Sequence, residues 1–254
     1  MSDQHTVTLW LLTYDKASYQ PQDNDIAQLG ESEFARYQSC GISRQKEFLL
    51  SRLLLRQALT VQLDCPIVDL EVEERQSMPP AVRLADDKGI RFSISHSNSL
   101  VAVAMARRGV DDRGVLGLDV EYMRHDRSLA AARMFCNQEQ QRLIENAQCI
   151  NEKRRLYYLF WSQKEAYFKA CFYTATVPTL RSINFRAAEQ SQVYDLSATE
   201  LDFSINGQTE RYQCATYASW STIPRVKKLM LNNNSLSVDH EEIIPNWSCY
   251  SFVN

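Results

Sequence analysis

The segment that most constrains this fold is an aromatic-rich stretch at residues 156–172. Wound as a helix at about 100° per residue, it collects most of its aromatic side chains on one face, with Glu165 in the middle. Its other faces are also largely apolar, so we expect a buried helix. A buried carboxylate needs an ion pair, a proton or a metal ion. A surface salt bridge from Glu165 to Lys169, one turn along, is the simpler alternative.

A second pair of carboxylates lies on a predicted strand at residues 115–121, which reads VLGLDVE. With a period of two, Gly117, Asp119 and Glu121 share one face of this strand. Two like charges on one face repel each other, and a hard cation would remove the repulsion. Carboxylate oxygens are the ligands that Mg²⁺ prefers, and Glu165 would supply a third. Gly117 leaves room there for a ligand to approach the backbone.

Composition excludes several classes of protein. The 254 residues suit one large domain or two small ones, and the net charge of −3 with scattered arginines argues against a nucleic-acid partner. No apolar run approaches the ~18 residues that span a bilayer, and the N-terminus does not resemble a signal peptide. We therefore expect a cytoplasmic protein without a membrane partner. Its seven widely spaced cysteines suggest neither a disulfide framework nor a zinc site.

Two features of the first half could bind anions. A hairpin is predicted at residues 90–106, and its polar corner, Ser95-His96-Ser97, could cradle a phosphate with hydroxyls, an imidazole and free backbone amides. An ordinary polar turn is the alternative. Arg52 lies within the leucine run of a long helix predicted at residues 43–63, where a guanidinium needs an anion. The alternative is an arginine whose head group is capped by a carboxylate or a carbonyl.

Four motifs occur together in a specific order: FLLSRLLLR, then FSISHS followed by VAVAM, then GLDVE, then FWSQKEAYFKA. This succession resembles the 4′-phosphopantetheinyl transferases of the longer, monomeric (Sfp) type. The resemblance implies an enzyme that moves 4′-phosphopantetheine from coenzyme A to a serine of an apo acyl carrier protein or peptidyl carrier domain. It implies an α+β fold of two similar subdomains related by a pseudo-two-fold, each an antiparallel sheet packed on a long helix. We place these subdomains at residues 1–112 and 113–254.

The resemblance also implies roles for individual residues. The Mg²⁺ ligands would be Asp119, Glu121 and Glu165. On chemical grounds Glu165, near the metal and in an apolar band, is also our candidate for the base that takes the serine proton, directly or through a metal-bound water. Lys169 would steady the pyrophosphate of coenzyme A, and Lys164 is a further candidate contact. The nucleotide phosphates would be held by Ser95, His96 and Arg52.

The sequence departs from the family pattern in one loop. The usual G-K-P is replaced by Ser77-Met78-Pro79, so the phosphate-binding lysine is missing. Either Arg75 substitutes for it or the adenosine phosphate is held less tightly. Met123 and Arg124, directly after GLDVE, are placed to form part of a carrier-binding surface.

Two other functions remain compatible with the residues. Three carboxylates would equally serve a Mg²⁺-dependent nucleotide pyrophosphatase or phosphodiesterase. A non-catalytic carrier-binding module that has kept the fold is the second alternative. Such a module should have lost a carboxylate or Lys169, but the three carboxylates and Lys169 are all present.

Overall fold

Runs of helices and runs of strands follow one another along the chain in a computed structural model that describes residues 6–76, 78–107, 115–173, 178–187, 196–218, 224–232 and 235–252. The helices are α1 (Asp23–Ile26), α2 (Glu31–Gln38), α3 (Ile42–Leu63), α4 (Arg83–Asp87), α5 (Ala132–Phe135), α6 (Gln138–Asn146) and α7 (Ile150–Ala170). The strands are β1 (Val7–Thr13), β2 (Val72–Glu73), β3 (Ala81–Val82), β4 (Ile90–Ser97), β5 (Leu100–Arg107), β6 (Leu116–Tyr122), β7 (Phe185–Ala187), β8 (Leu196–Ile205), β9 (Gln208–Ala218), β10 (Arg225–Asn232), β11 (Ser235–Ile243) and β12 (Ser248–Phe252). The predicted α+β class is confirmed. None of the helices in these ranges combines the length and apolar composition needed to cross a membrane.

The first of two units contains Met1–Arg113 and Arg225–Ile244. Its sheet has the strand order β11-β10-β1-β5-β4. Helix α3 packs on β5, β1 and β4, and its Leu49, Leu50 and Leu54 are fully buried in the core of this unit. Strand β10 runs parallel to β1, whereas the other neighbours are antiparallel. This sheet is therefore mixed, where a purely antiparallel one was predicted.

A buried ion pair joins α2 to α3. Glu33 and Arg56 meet through two hydrogen bonds, of which the one from Arg56 Nη1 to Glu33 Oε1 measures 2.8 Å. Glu33 is fully buried and also accepts a hydrogen bond from the backbone amide of Gly30, at 2.9 Å. Loss of either charged partner would leave the other charge buried and uncompensated, so this pair helps to fix the position of α2.

The second unit contains Gly114–Pro224 and Pro245–Asn254. Its sheet has the strand order β6-β9-β8-β12-β7, and each neighbouring pair is antiparallel. Helix α7 packs on β6 and β9, where Tyr167 meets the ring of Tyr217 edge to face at 4.7 Å between centroids. This sheet and α7 together carry the GLDVE and FWSQKEAYFKA motifs.

The boundary predicted at residues 112 and 113 lies outside the described residues. In the structure, Arg225–Ile244 groups with the first unit because β10 pairs with β1, although the sequence analysis assigned these residues to the second subdomain. The following strand, β12, pairs with β8 and β7 of the second unit. The pseudo-two-fold relation between the subdomains stays a prediction.

Candidate active site

Gly117 determines how closely α7 approaches β6. A Cβ atom at this position would lie 1.8 Å from the carbonyl oxygen of Ala166 and 2.8 Å from the amide nitrogen of Ala170. Carbon atoms in ordinary contact lie about 3.5–4 Å from their neighbours, so no side chain fits. The prediction that Gly117 leaves room for a ligand to approach the backbone is wrong, because the backbone of α7 fills that space. The close approach sets side chains of α7 against the carboxylates of β6.

Lys169 of α7 forms an ion pair with Asp119 of β6. Its Nζ donates to Asp119 Oδ1 at 2.8 Å, and the Asp119 side chain is only 5% exposed. Burial and then the charge of Asp119 raise the pKa of Glu165, whereas the Lys169 ammonium opposes that rise. Lys169 thus interacts with Asp119 on β6 as well as with Glu165 on its own helix. The simpler alternative of a surface salt bridge within α7 does not describe this arrangement.

Glu121 completes the group of carboxylates. Its Oε1 accepts a hydrogen bond of 2.7 Å from the indole nitrogen of Trp161 on α7. Burial, and next the charge of Asp119, raise the pKa of Glu121 to about 7, although Trp161 and Lys169 act in the opposite direction. The structure therefore brings together Asp119, Glu121, Glu165 and Lys169 in one electrostatically coupled site, with the carboxylates in excess.

The chemistry of this site fits a hard divalent cation. All three acidic groups offer carboxylate oxygens. Burial, and next the charge of Asp119, raise the pKa values of Glu121 and Glu165, and a bound cation would offset both effects by stabilising the ionised carboxylates. Over the described ranges, no group of three or more His, Cys, Asp or Glu side chains is arranged to hold a metal ion. The donors are suitable, but joint ligation requires rearrangement of side chains, including the Asp119–Lys169 pair.

Lys164 makes different contacts from Lys169. Its buried ammonium donates to the backbone carbonyls of Leu180, at 2.8 Å, and Ile183. Burial lowers the pKa of Lys164 to about 8. The structure thus directs Lys164 to the backbone of the 180–183 turn, although the sequence analysis named it as a coenzyme A contact.

Arg52 and Arg75 of the first unit are held by groups of the protein. The Nε of Arg52 donates to Glu74 Oε1 at 2.6 Å, and its guanidinium lies 4.4 Å above the ring centroid of Phe48. Glu33 lies 3.6 Å from the same nitrogen. This arrangement matches the carboxylate-capped alternative for Arg52. Arg75 donates from Nε to the carbonyl of Pro79 at 3.0 Å, across the loop that contains Met78.

The Ser95-His96-Ser97 segment does not form the predicted corner. Strand β4 continues to Ser97, which pairs with Leu100, and the bend follows at Asn98, which has φ of 51°. Ser95 is buried within the paired strand, opposite Ala102. A cradle of turn amides at these residues was therefore a wrong expectation.

His96 belongs to a charged cluster that the sequence analysis missed. Arg44 Nη1 lies 2.5 Å from His96 Nε2, and Lys16 donates to Glu47 at 2.9 Å. Burial raises the pKa of Glu47, but the hydrogen bond from Lys16 and the nearby His96 outweigh it, so the pKa lies below its usual value. The spacing of Arg44 and Glu47 on one helix could have indicated this pair, whereas Lys16 is distant in sequence.

A cavity of about 320 Å³ lies beside Met123. Met123 lines it together with Tyr122, His125, Asn151, Arg154, Thr209 and Arg211. Arg124 is exposed and pairs with Asp126 at 2.8 Å. The region next to the GLDVE strand thus combines apolar and basic groups.

Comparison with known proteins gives consistent matches. Residues 115–219 match the family model described as the 4′-phosphopantetheinyl transferase superfamily. The chain is 30% identical over 175 residues to the 4′-phosphopantetheinyl transferase HetI of Nostoc sp. (strain PCC 7120), covering 67% of this chain and 69% of HetI. It is 32% identical over 149 residues to slr0495 of Synechocystis sp. (strain PCC 6803), which is provisionally named a 4′-phosphopantetheinyl transferase, covering 57% of each chain.

Proposed function

Because the chain belongs to the 4′-phosphopantetheinyl transferase superfamily and is a transferase of phosphopantetheine, we propose that it takes this group from coenzyme A. The acceptor is a serine of an apo acyl carrier protein or peptidyl carrier domain, and the reaction depends on Mg²⁺. We further propose that the enzyme is of the longer, monomeric Sfp type. The observation that carries the proposal is the coupled site of three carboxylates and Lys169 on β6 and α7.

In this proposal Asp119, Glu121 and Glu165 hold the metal ion. When bound, Mg²⁺ would neutralise negative charge on the pyrophosphate. The ammonium of Lys169 exchanges its bond to Asp119 for the pyrophosphate oxygens, where it stabilises charge that increases during transfer. Its movement away from Asp119 also frees that carboxylate for ligation.

Glu165 is the proposed base for the carrier serine. Its carboxylate lies close enough to Asp119 and Lys169 to feel both charges, so in this proposal it stands beside the metal ion and the pyrophosphate, where the serine loses its proton. The serine hydroxyl gives its proton to Glu165 while its oxygen forms a bond to the β-phosphorus of coenzyme A. The bond from that phosphorus to the bridging oxygen breaks, and adenosine 3′,5′-bisphosphate leaves with the electron pair.

The contacts to the nucleotide phosphates are proposed for residues that the sequence motifs single out. His96 lies among Arg44, Lys16 and Glu47, so this cluster carries more cationic than anionic groups. We assign phosphate binding to Ser95 and His96, with Arg44 added by its contact to His96. Arg52 would bind a phosphate only by releasing Glu74, and Arg75 only by releasing the carbonyl of Pro79.

The test combines purified protein, coenzyme A, Mg²⁺ and a panel of apo carrier proteins, with intact-mass measurement of each carrier. We expect one phosphopantetheine to be added to at least one carrier, with no addition in the presence of a chelator. Asp119→Ala should abolish the addition, whereas Glu145→Gln, which changes an exposed carboxylate, should not. Release of nucleotide products without any mass gain on a carrier would instead identify a pyrophosphatase.

A further inference from the structure

Trp161 is held in place by aromatic packing on the side of α7 that faces Glu121. Its ring meets Phe135 edge to face, with 4.9 Å between centroids and 73° between planes. Phe135 is 1% exposed and packs in the same manner against Tyr157 at 5.2 Å. Trp161 is partly buried, and because the cluster it packs against is close-packed, the contact with Phe135 restricts rotation of its ring. The direction of its N–H group is therefore set by the core of the second unit.

That N–H group donates to the Glu121 carboxylate at 2.7 Å, a short bond for a nitrogen donor. Glu121 is the penultimate residue of β6, and its side chain has three rotatable bonds. A directional donor on a fixed ring selects one orientation of such a carboxylate out of several. The indole thereby determines where Oε1 of Glu121 lies, and with it the orientation of the second carboxylate oxygen.

We propose that Trp161 is a positioning residue, whose indole N–H orients the Glu121 carboxylate for metal binding. The inference rests on the proposed function, in which Glu121 is a metal ligand. Phe135 acts with Trp161, because it supplies the surface that keeps the indole from turning away. The role is distinct from packing alone, since it depends on one hydrogen atom that phenylalanine at the same position would lack.

The test measures metal binding to the free protein, without either substrate. Mn²⁺ serves as the probe, and its free concentration is followed by electron paramagnetic resonance for the wild type and for Trp161→Phe. We expect about tenfold weaker Mn²⁺ binding in Trp161→Phe. Tyr158→Phe is the matched control, because it removes a hydrogen bond of 2.9 Å from the Arg124 amide in the same aromatic cluster. The control should lose thermal stability to a similar extent and keep wild-type affinity for Mn²⁺.

A second measurement needs no metal. In a ¹H–¹⁵N spectrum of the metal-free protein, the Trp161 indole signal is assigned by its absence in Trp161→Phe. Glu121→Gln should shift that signal upfield, because a neutral amide is a weaker acceptor than a carboxylate. An unmoved signal would overturn the inference.

The outcomes separate the inference from its premise. Loss of Mn²⁺ binding in Glu121→Gln, with wild-type binding in Trp161→Phe, would overturn the role of Trp161 and leave the metal site standing. Equal losses in Trp161→Phe and Tyr158→Phe would reduce Trp161 to a packing residue. Wild-type Mn²⁺ binding in Glu121→Gln would instead show that the proposed metal site itself is wrong.

Discussion

Replacement of Gly117 by alanine should separate α7 from β6 and disable the site. The added methyl group would lie 1.8 Å from the Ala166 carbonyl oxygen, and both atoms belong to buried, regular elements. Helix α7 would have to retreat by roughly 1.5 Å at this point to restore an ordinary contact. The Lys169–Asp119 bond, now 2.8 Å, would then exceed hydrogen-bonding distance.

The cost can be estimated from the two opposing effects. Overpacking of a core typically costs about 1–3 kcal/mol, and this clash is with backbone atoms, which places it at the upper end. Alanine regains about 0.5–1 kcal/mol over glycine inside a regular element. We therefore expect a net loss of about 2 kcal/mol in the free energy of unfolding. Because misplacement of catalytic groups by about 1 Å can cost about 100-fold, the transfer rate should fall by a similar factor.

Urea denaturation and the carrier mass assay measure the two effects on the same preparation. Gly41→Ala is the matched control, because a Cβ atom there meets nothing within 4 Å. Its backbone φ of −68° is also one that alanine adopts freely. Gly41 is the N-cap of α3, where alanine is less favourable than glycine, so we expect a loss of up to about 1 kcal/mol in the free energy of unfolding and a wild-type transfer rate. Wild-type stability together with a wild-type transfer rate in Gly117→Ala would refute the reasoning.

The carboxylates and the carrier-binding surface give three more predictions. Glu121→Gln should stabilise the metal-free protein at pH 8.5 by up to about 3 kcal/mol. The Glu121 carboxyl has a pKa of about 7 in the folded protein, which is higher than its pKa in the unfolded chain. Its contribution to the stability of the folded state is therefore fully present below the unfolded-state pKa and is lost as the pH rises through 7. Equal pH slopes of the unfolding free energy in both proteins, in the presence of chelator, would contradict this. Glu165→Gln should lower the transfer rate about 100-fold with folding preserved, and Lys169→Ala should weaken coenzyme A binding as well as turnover. Near-normal transfer rates in both variants would show that Glu165 and Lys169 have only a structural role. Met123→Glu should raise the apparent KM for the carrier without changing the Kd for coenzyme A, and equal effects on both substrates would exclude Met123 from the carrier surface.

The elements with strong periodicity were predictable from the sequence. The hairpin β4–β5, strand β6 and helix α3 lie close to their expected positions, because each buries a regular apolar pattern. Helix α7 begins at Ile150, about two turns before the aromatic segment, since its first turns are polar and carry no apolar signal. Strand β10 was missed for a related reason: its first five residues, RVKKL, bury only Val226 and Leu229, and its place is decided by pairing with β1.

The residues of the carboxylate site were predictable, but their contacts were not. Alternation along β6 places Asp119 and Glu121 on one face, and this required no knowledge of tertiary structure. The partners of Lys164 and Lys169, by contrast, depend on which side of α7 meets the sheet and which meets the turn at residues 180–183. Spacing along one helix cannot decide that, because both lysines are adjacent to Glu165 on its surface.

The return of the chain to β1 affects how the protein can be made and divided. A ribosome releases β1, α3, β4 and β5 first, but the neighbour of β1 on its other side, β10, follows only after residue 224. Until then β1 presents an open hydrogen-bonding edge with Leu9 and Leu11, which are fully buried in the finished sheet. A nascent first unit is thus exposed to wrong strand pairing while the whole of residues 114–224 is synthesised. A fragment ending near residue 113 would retain that edge, so a circular permutant that joins residues 225–244 directly to β1 is the better way to isolate this unit.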